Sequence, residues 1–114
     1  YTKIFEIKNL NFESGKYNIQ NQYFKELENL VLLLKEEINI KIEIAGHTDS
    51  IGDNKTNLIL SENRSKSVKS YLVTNGIDES RIKCVGYGEN QPITNNSSIE
   101  GREKNRRIEI RILK

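Results

Sequence analysis

Four short stretches of the chain alternate apolar and polar residues with a period of two. Two longer stretches space their apolar residues by three and four. Of the first kind, Lys3 to Lys8 sets Ile4, Glu6 and Lys8 against Phe5 and Ile7, and Ile40 to Ala45 places Ile40, Ile42 and Ile44 on one face with Lys41 and Glu43 on the other. Arg81 to Val85 is the third, and Arg106 to Leu113 the fourth. Alternation rich in Ile predicts strands. In the last strand Ile108, Ile110 and Ile112 are expected to point inward and Arg107, Glu109 and Arg111 outward, with Arg107 a solvated edge charge.

Asn21 to Glu37 carries Phe24, Leu27, Leu30, Val31 and Leu34 at the spacing of an amphipathic helix. A second helix is expected from about Lys55 to Asn75. Its apolar positions Leu58, Leu60, Val68, Tyr71 and Leu72 are more loosely spaced, and Asn75-Gly76 supplies a stop signal. Between Glu89 and Lys104, Pro92, Asn95-Asn96 and Gly101 predict a long loop with room for one helical turn. The order β-α-β-α-β-(short helix/loop)-β predicts an α/β (α+β) two-layer sandwich, in which helices pack against a mixed four-stranded sheet. Helical crossovers allow some neighbouring strands to run parallel.

A length of 114 residues suits one domain, 1–114. The chain contains no Met and reads as a fragment of a longer protein. With 35% hydrophobic and 30% charged residues and a mean hydropathy of -0.65, the core must be modest and the surface strongly hydrated. The net charge is only +2, and basic and acidic residues intersperse along the chain, so there is no basic stripe to grip nucleic acid. No apolar run approaches the roughly 20 residues of a membrane span, so this domain is not expected to insert in a bilayer. One Cys and one His cannot form a protein zinc site, and no cofactor motif is present. Cys84 shares a strand face with Ile82 and reads as a small buried hydrophobe.

The densest chemistry lies in Ala45-Gly46-His47-Thr48-Asp49-Ser50-Ile51-Gly52, between the second strand and the second helix. Loops at the carboxyl end of a strand are frequent ligand sites in α/β folds. Gly46 and Gly52 bracket the turn and would let its backbone approach a ligand closely. In the following helix Asn57 and Arg64 are two turns apart, so they project from nearly the same face at roughly 10 Å. Arg64 would lean back toward the loop bearing Asp49. A carboxylate and a guanidinium converging there suit a zwitterion, Asp49 taking an ammonium and Arg64 a carboxylate. On the residues alone a second reading stands beside this one, in which the two pair with each other or Asp49 caps the helix. His47 is expected to make a loop hydrogen bond. Arg106 shares parity with the inward Ile residues, needs a carboxylate partner, and is expected to brace the Asp49 loop. Tyr87 and Glu89 either stack beside the pocket or pack. Nothing resembles an activated nucleophile or paired catalytic acids, so a non-enzymatic recognition module is expected.

The string Gly46-His47-Thr48-Asp49…Gly52…Asn57…Leu60-Ser61…Arg64-Ser65…Val68…Tyr71-Leu72…Gly76 resembles the signature of OmpA-like C-terminal domains, the group that includes OmpA, MotB and Pal. Gly86-Tyr87-Gly88-Glu89…Pro92 and Gly101-Arg102…Asn105-Arg106-Arg107-Ile108-Glu109 continue it in order. Upstream, Asn11-Phe12-Glu13-Ser14-Gly15 is similar to the family's Phe-acidic loop, with Glu13 where Asp is frequent. The resemblance implies binding of the peptidoglycan stem peptide through its meso-diaminopimelate. It implies that Asp49 meets the ammonium of that residue and Arg64 its carboxylate, with Asn57 and Thr48 close by. Backbone groups of Phe12, Glu13, Ser14 and Gly15 would complete the pocket. The implied setting is the periplasmic face of the outer membrane of a diderm bacterium, to which the parent protein would be attached. Two alternatives are an adaptor for another envelope protein and a peptidoglycan-processing enzyme.

Overall fold

A computed structural model describes residues 3–11, 19, 21–92 and 94–113, with residues 3–11 and 22 described by their backbone alone. Its strands are β1 (Lys3–Asn11), β2 (Lys41–His47), β3 (Ile82–Gly88) and β4 (Arg107–Leu113), and its helices are α1 (Phe24–Glu36), α2 (Asn54–Thr74) and α3 (Ile99–Asn105). They form an α+β fold around a sheet of order β1-β4-β2-β3. β4 runs antiparallel to both β1 and β2. β2 and β3 are parallel, as a pair of strands joined by a helix must be when the crossover brings the chain back to the same edge.

The stripe Leu27, Leu30, Val31 and Leu34 buries one face of α1, as its spacing predicts. It packs with Ile42, Ile44, Ile108, Ile110 and Ile112 of the sheet and with Val68 and Leu72 of α2. Arg81 ties the exit of α1 to the rest of the fold by donating to the carbonyls of Leu34, Glu37 and Ile40 at 2.9, 2.8 and 3.0 Å. Two of these lie at the end of α1, where the last carbonyls of a helix lack partners of their own.

α2 is capped by Asp53, whose carboxylate accepts from the Thr56 N–H at 3.0 Å. The helix ends at Thr74, before Gly76 in the left-handed region at φ +96°. Its buried stripe is Asn57, Ser61, Arg64, Ser65, Val68 and Leu72. Four of those six are polar, which is why its apolar residues look loosely spaced, while Leu58 faces outward. The small residues serve close packing. A Cβ on Gly46 would collide with the Ser61 carbonyl, and one on Gly86 with Ser61 and Glu62. Gly46 lies inside β2, so the close approach its missing side chain permits is that of α2. The expectation that it frees the turn for a ligand is corrected.

The long loop expected between Glu89 and Lys104 contains two helical turns rather than one. Ser98 caps α3 by accepting from the Gly101 N–H at 2.9 Å. The buried Asn105 amide donates to Thr94 O and Asn96 Oδ1, both at 2.9 Å, and so fastens the loop to the end of the helix.

A larger correction concerns the charged residues of β4. Arg107, Glu109 and Arg111 were expected in solvent, yet they are 4%, 8% and 6% exposed. β4 is a central strand, with β1 on one side and β2 on the other, so Arg107 is not an edge charge. Residues two apart share a face, which lets Glu109 accept from Arg107 Nε at 2.8 Å and from Arg111 Nη2 at 3.3 Å. Arg111 also donates to Glu43 of β2 at 3.0 Å and to the Tyr87 hydroxyl of β3 at 2.7 Å, with its guanidinium 4.6 Å from the centre of that ring. Gln91 reaches over this face and accepts from Arg107 and Arg111 at 2.9 Å each.

Candidate functional site

The end of β2 delivers the chain into the loop 48–53, which turns directly into α2. Backbone pairing fixes where the loop starts, since Thr48 N–H donates to Gly88 O at 2.9 Å. Gly52 takes φ +93°, a left-handed conformation that glycine adopts at little cost. Asn57, one turn into α2, clasps the loop from below. Its amide donates to the carbonyls of Asp49 and Ile51 at 3.3 and 3.0 Å and to Glu89 Oε2 at 3.3 Å. Thr48 Oγ1 also turns to the backbone, donating to Asp49 O at 2.9 Å. Asn57 and Thr48, expected beside the ligand, thus shape the loop.

Asp49 does not cap the helix, because Asp53 holds that place. Its Oδ1 accepts from the Ile51 N–H at 3.0 Å, and its Oδ2 pairs with Arg106 Nη1 at 2.6 Å. Arg106 was expected in the last strand with the parity of its Ile residues; it is instead the C-cap of α3, just ahead of β4, so strand parity does not place it, but the carboxylate partner it needs is present in Asp49. Arg64 comes up from α2 beneath the loop and donates to the His47 carbonyl at 3.3 Å. It is 0% exposed. Burial lowers its pKa to about 10, with the nearby Arg106 charge acting in the same direction and Asp49 opposing, so it stays charged at neutral pH.

These groups line a cavity of about 210 Å³. Asp49, Asp53, Arg64 and Arg106 supply its charge, with Thr48, Thr56 and Asn57 beside them, and Ile51 and Leu60 give it apolar wall. The turn and the helix therefore bring Asp49 and Arg64 to one cavity. Arg106 arrives from the junction of α3 and β4. Asp53 and Thr56 were not picked out from the sequence, and Ile51 and Leu60 were named there without a place in the site. Asp53 carried a usable signal, an Asp three residues ahead of Thr56 where a helix begins. Phe12, Glu13, Ser14 and Gly15 lie outside the described residues.

The remaining candidates fall elsewhere. His47 is the last residue of β2 and points to the charged side of the sheet, where its ring stacks on Tyr87 with centroids 5.5 Å apart. Neither ring nitrogen has a hydrogen-bond partner among the described residues, so the expected loop hydrogen bond is absent. Burial, together with the Arg107 and Arg111 charges and against that of Glu109, pulls its pKa down to about 4. Tyr87 belongs to the same charged side, whereas Glu89 meets Asn57 at the site. Cys84 is half-buried, and burial raises its thiol pKa. Among the described residues no group of three His, Cys, Asp or Glu side chains could hold a metal ion. No helix among them is long and apolar enough to cross a membrane.

Comparison with known proteins places this geometry in context. The model of the OmpA family matches residues 11–106. The chain is 38% identical over 102 residues to the probable lipoprotein YiaD of Escherichia coli (strain K12), which covers 90% of this chain and 47% of that protein. The chain thus spans about half of that relative, and only 30% of outer membrane porin F of Pseudomonas fluorescens, to which it is 39% identical over 98 residues. Among solved structures, the peptidoglycan-associated lipoprotein from Burkholderia pseudomallei superposes with a TM-score of 0.88 at 26% identity, over 91% of this chain and 88% of that one.

Proposed function

The chain belongs to the OmpA family, and from that premise we propose that it binds peptidoglycan non-covalently, gripping the diaminopimelate of the stem peptide and so anchoring its parent protein to the cell wall. The observation that carries the proposal is the single cavity that gathers the Asp49 carboxylate with the Arg64 guanidinium at the end of β2. A free amino-acid end presents an ammonium and a carboxylate one carbon apart. In the proposed complex Asp49 takes the ammonium, and the positive charge held by Arg64 favours the carboxylate. Relatives named as a peptidoglycan-associated lipoprotein and as outer membrane proteins support both the ligand and a place in the envelope of a diderm bacterium.

A charge-assisted hydrogen bond contributes about 1.5–3 kcal/mol net, so one small site binds modestly. Firm anchoring follows from many copies facing a polymer whose stems repeat. The role requires recognition without turnover, and sacculi incubated with the domain are expected to release no soluble muropeptides.

Asp49→Asn provides the test, because it removes the charge and keeps the shape and an oxygen for the Ile51 N–H. The variant is expected to lose co-sedimentation with purified sacculi while remaining folded by circular dichroism. Sacculus binding at the wild-type level would reject the site. Arg64→Ala is a poorer test, since truncating an enclosed arginine disturbs the packing of α2 as well.

A further inference from the structure

The cavity has a closed end and a mouth, and a carboxylate stands at each level. Asp53, Asn57, Leu60 and Arg64 all line it from α2 and its cap. Their spacing by four, three and four residues keeps them on one face, so they form a row along the cavity wall. Arg64 starts roughly 16 Å further along the helix axis than Asp53 and leans back toward it. Exposure gives the row its direction. Arg64 and Asn57 are buried, as is Asp49 on the facing loop, whereas Asp53 is open to solvent. Asp53 is thus the carboxylate at the mouth.

Capping α2 does not exhaust that carboxylate. The Thr56 N–H and hydroxyl both donate to Oδ2, at 3.0 and 3.2 Å. An ionised carboxylate offers about four acceptor positions over its two oxygens, so Asp53 keeps acceptor capacity beside the cavity.

We infer that Asp53 is a second ligand contact, which accepts from the nitrogen at the far end of a diamino acid whose zwitterionic end is held deeper in the cavity. The inference rests on the proposed reading of this cavity and extends it from one end of the ligand to both. With the ligand carboxylate toward Arg64 and its ammonium on Asp49, the rest of the molecule has to leave through the mouth. In diaminopimelate a second nitrogen follows after a short methylene chain, for which Ile51 and Leu60 supply apolar wall. That nitrogen is an amide N–H in a stem peptide and an ammonium in the free amino acid. Both are donors, and a carboxylate is an acceptor only, so the match is specific to a nitrogen at this point. Because Asp53 is exposed, its contact decides between similar ligands more than it adds to total affinity.

The test needs substitutions that spare the helix. Asp53→Asn and Asp53→Ser both leave a residue type that caps as well as Asp. Two probes are competed against sacculus binding: meso-diaminopimelate, and 2-aminopimelate of the same configuration at the zwitterionic end, which lacks only the second nitrogen. Wild type is expected to prefer diaminopimelate. Each variant is expected to lower that preference by about threefold or more, the lower part of the range for one hydrogen bond. A loss of capping alone would weaken both probes by the same factor, and that result, or no change in either, overturns the inference. Equal competition by the two probes in wild type overturns it without recourse to a variant, while leaving the zwitterionic end recognised. If neither probe competes with wild type, the reading of the cavity falls, and the second contact with it.

Discussion

On one side of the sheet Ile42, Ile44, Ile108, Ile110 and Ile112 meet the helices; on the other, the residues between them are Glu43, His47, Arg107, Glu109 and Arg111, and they are nearly as well buried. The two sides are held by different physics. Apolar packing is graded, because each methyl group contributes its own increment of burial and a neighbour can partly fill a small loss. The charged side is conditional. Each member was taken from water at a cost that its partners must offset, so the stability it contributes depends on the set being complete. Glu109 shows this balance. Burial by itself raises the pKa of its carboxyl, but the hydrogen bond and charge of Arg107, with the His47 and Arg111 charges, outweigh burial and hold it below the usual range.

Removing one member of the charged set is therefore expected to have the largest effect. Among the described residues, Glu109→Ala takes from Arg107 its carboxylate and from Arg111 one of its carboxylate partners, Glu43 being the other. Loss of one partner from a buried pair costs about 3–5 kcal/mol. Urea unfolding at pH 7 measures it, and a loss below about 1 kcal/mol would show that water screens this side as it screens surface pairs.

His47 sharpens the contrast through pH. Its folded-state pKa of about 4 lies below the ordinary 6.5, so the unfolded chain takes up a proton first as the solution is acidified. The neutral ring's contribution is complete above pH 6.5, declines as the pH falls, and is lost once it passes through about 4. At about 1.4 kcal/mol for each unit of difference, the loss across that window is on the order of 3 kcal/mol. His47→Phe keeps an aromatic ring against Tyr87 and gives up no hydrogen bond among the described residues. Its unfolding free energy is expected to match wild type at pH 7 and to fall much less between pH 6.5 and 4. A slope equal to that of wild type would place the acid sensitivity in other groups.

The same two sides account for what the residues revealed in advance. Period-two alternation located the strands and the inward Ile residues, because one strand's pattern is enough to define a face. It could not tell whether the other face is wet. That depends on β4 lying between β1 and β2 and on Gln91 folding across, both of which involve distant parts of the chain. α2 misled for a related reason, since Asn57, Ser61, Arg64 and Ser65 occupy buried positions that a hydrophobic pattern counts as surface. At the candidate site, a charged loop at the end of a strand brought Asp49 to attention, helical spacing and the lean of long side chains brought Arg64, and an assumed strand parity brought Arg106, which in the fold precedes β4. The structural roles of Gly46 and Asn57 were hidden because both depend on how closely α2 approaches β2 and the loop. The family signature carried their positions without carrying that reason.

Ile110→Val should have the smallest effect and gives the comparison its control. Ile110 is fully buried on the helix-facing side, beside Glu109 in sequence but on the opposite surface of the sheet. Removing one methylene-sized group from a packed core costs about 0.5–1.5 kcal/mol, set by how far the neighbours close the gap. No titrating group changes its surroundings, so the loss is expected to be the same at pH 7 and pH 5. Chemical denaturation of this variant and of His47→Phe at both values makes the test direct, as only the histidine variant should change its standing relative to wild type. If Ile110→Val became costlier in acid, strain on one side of the sheet would be reaching the other, and the two sides would have to be treated as one coupled core.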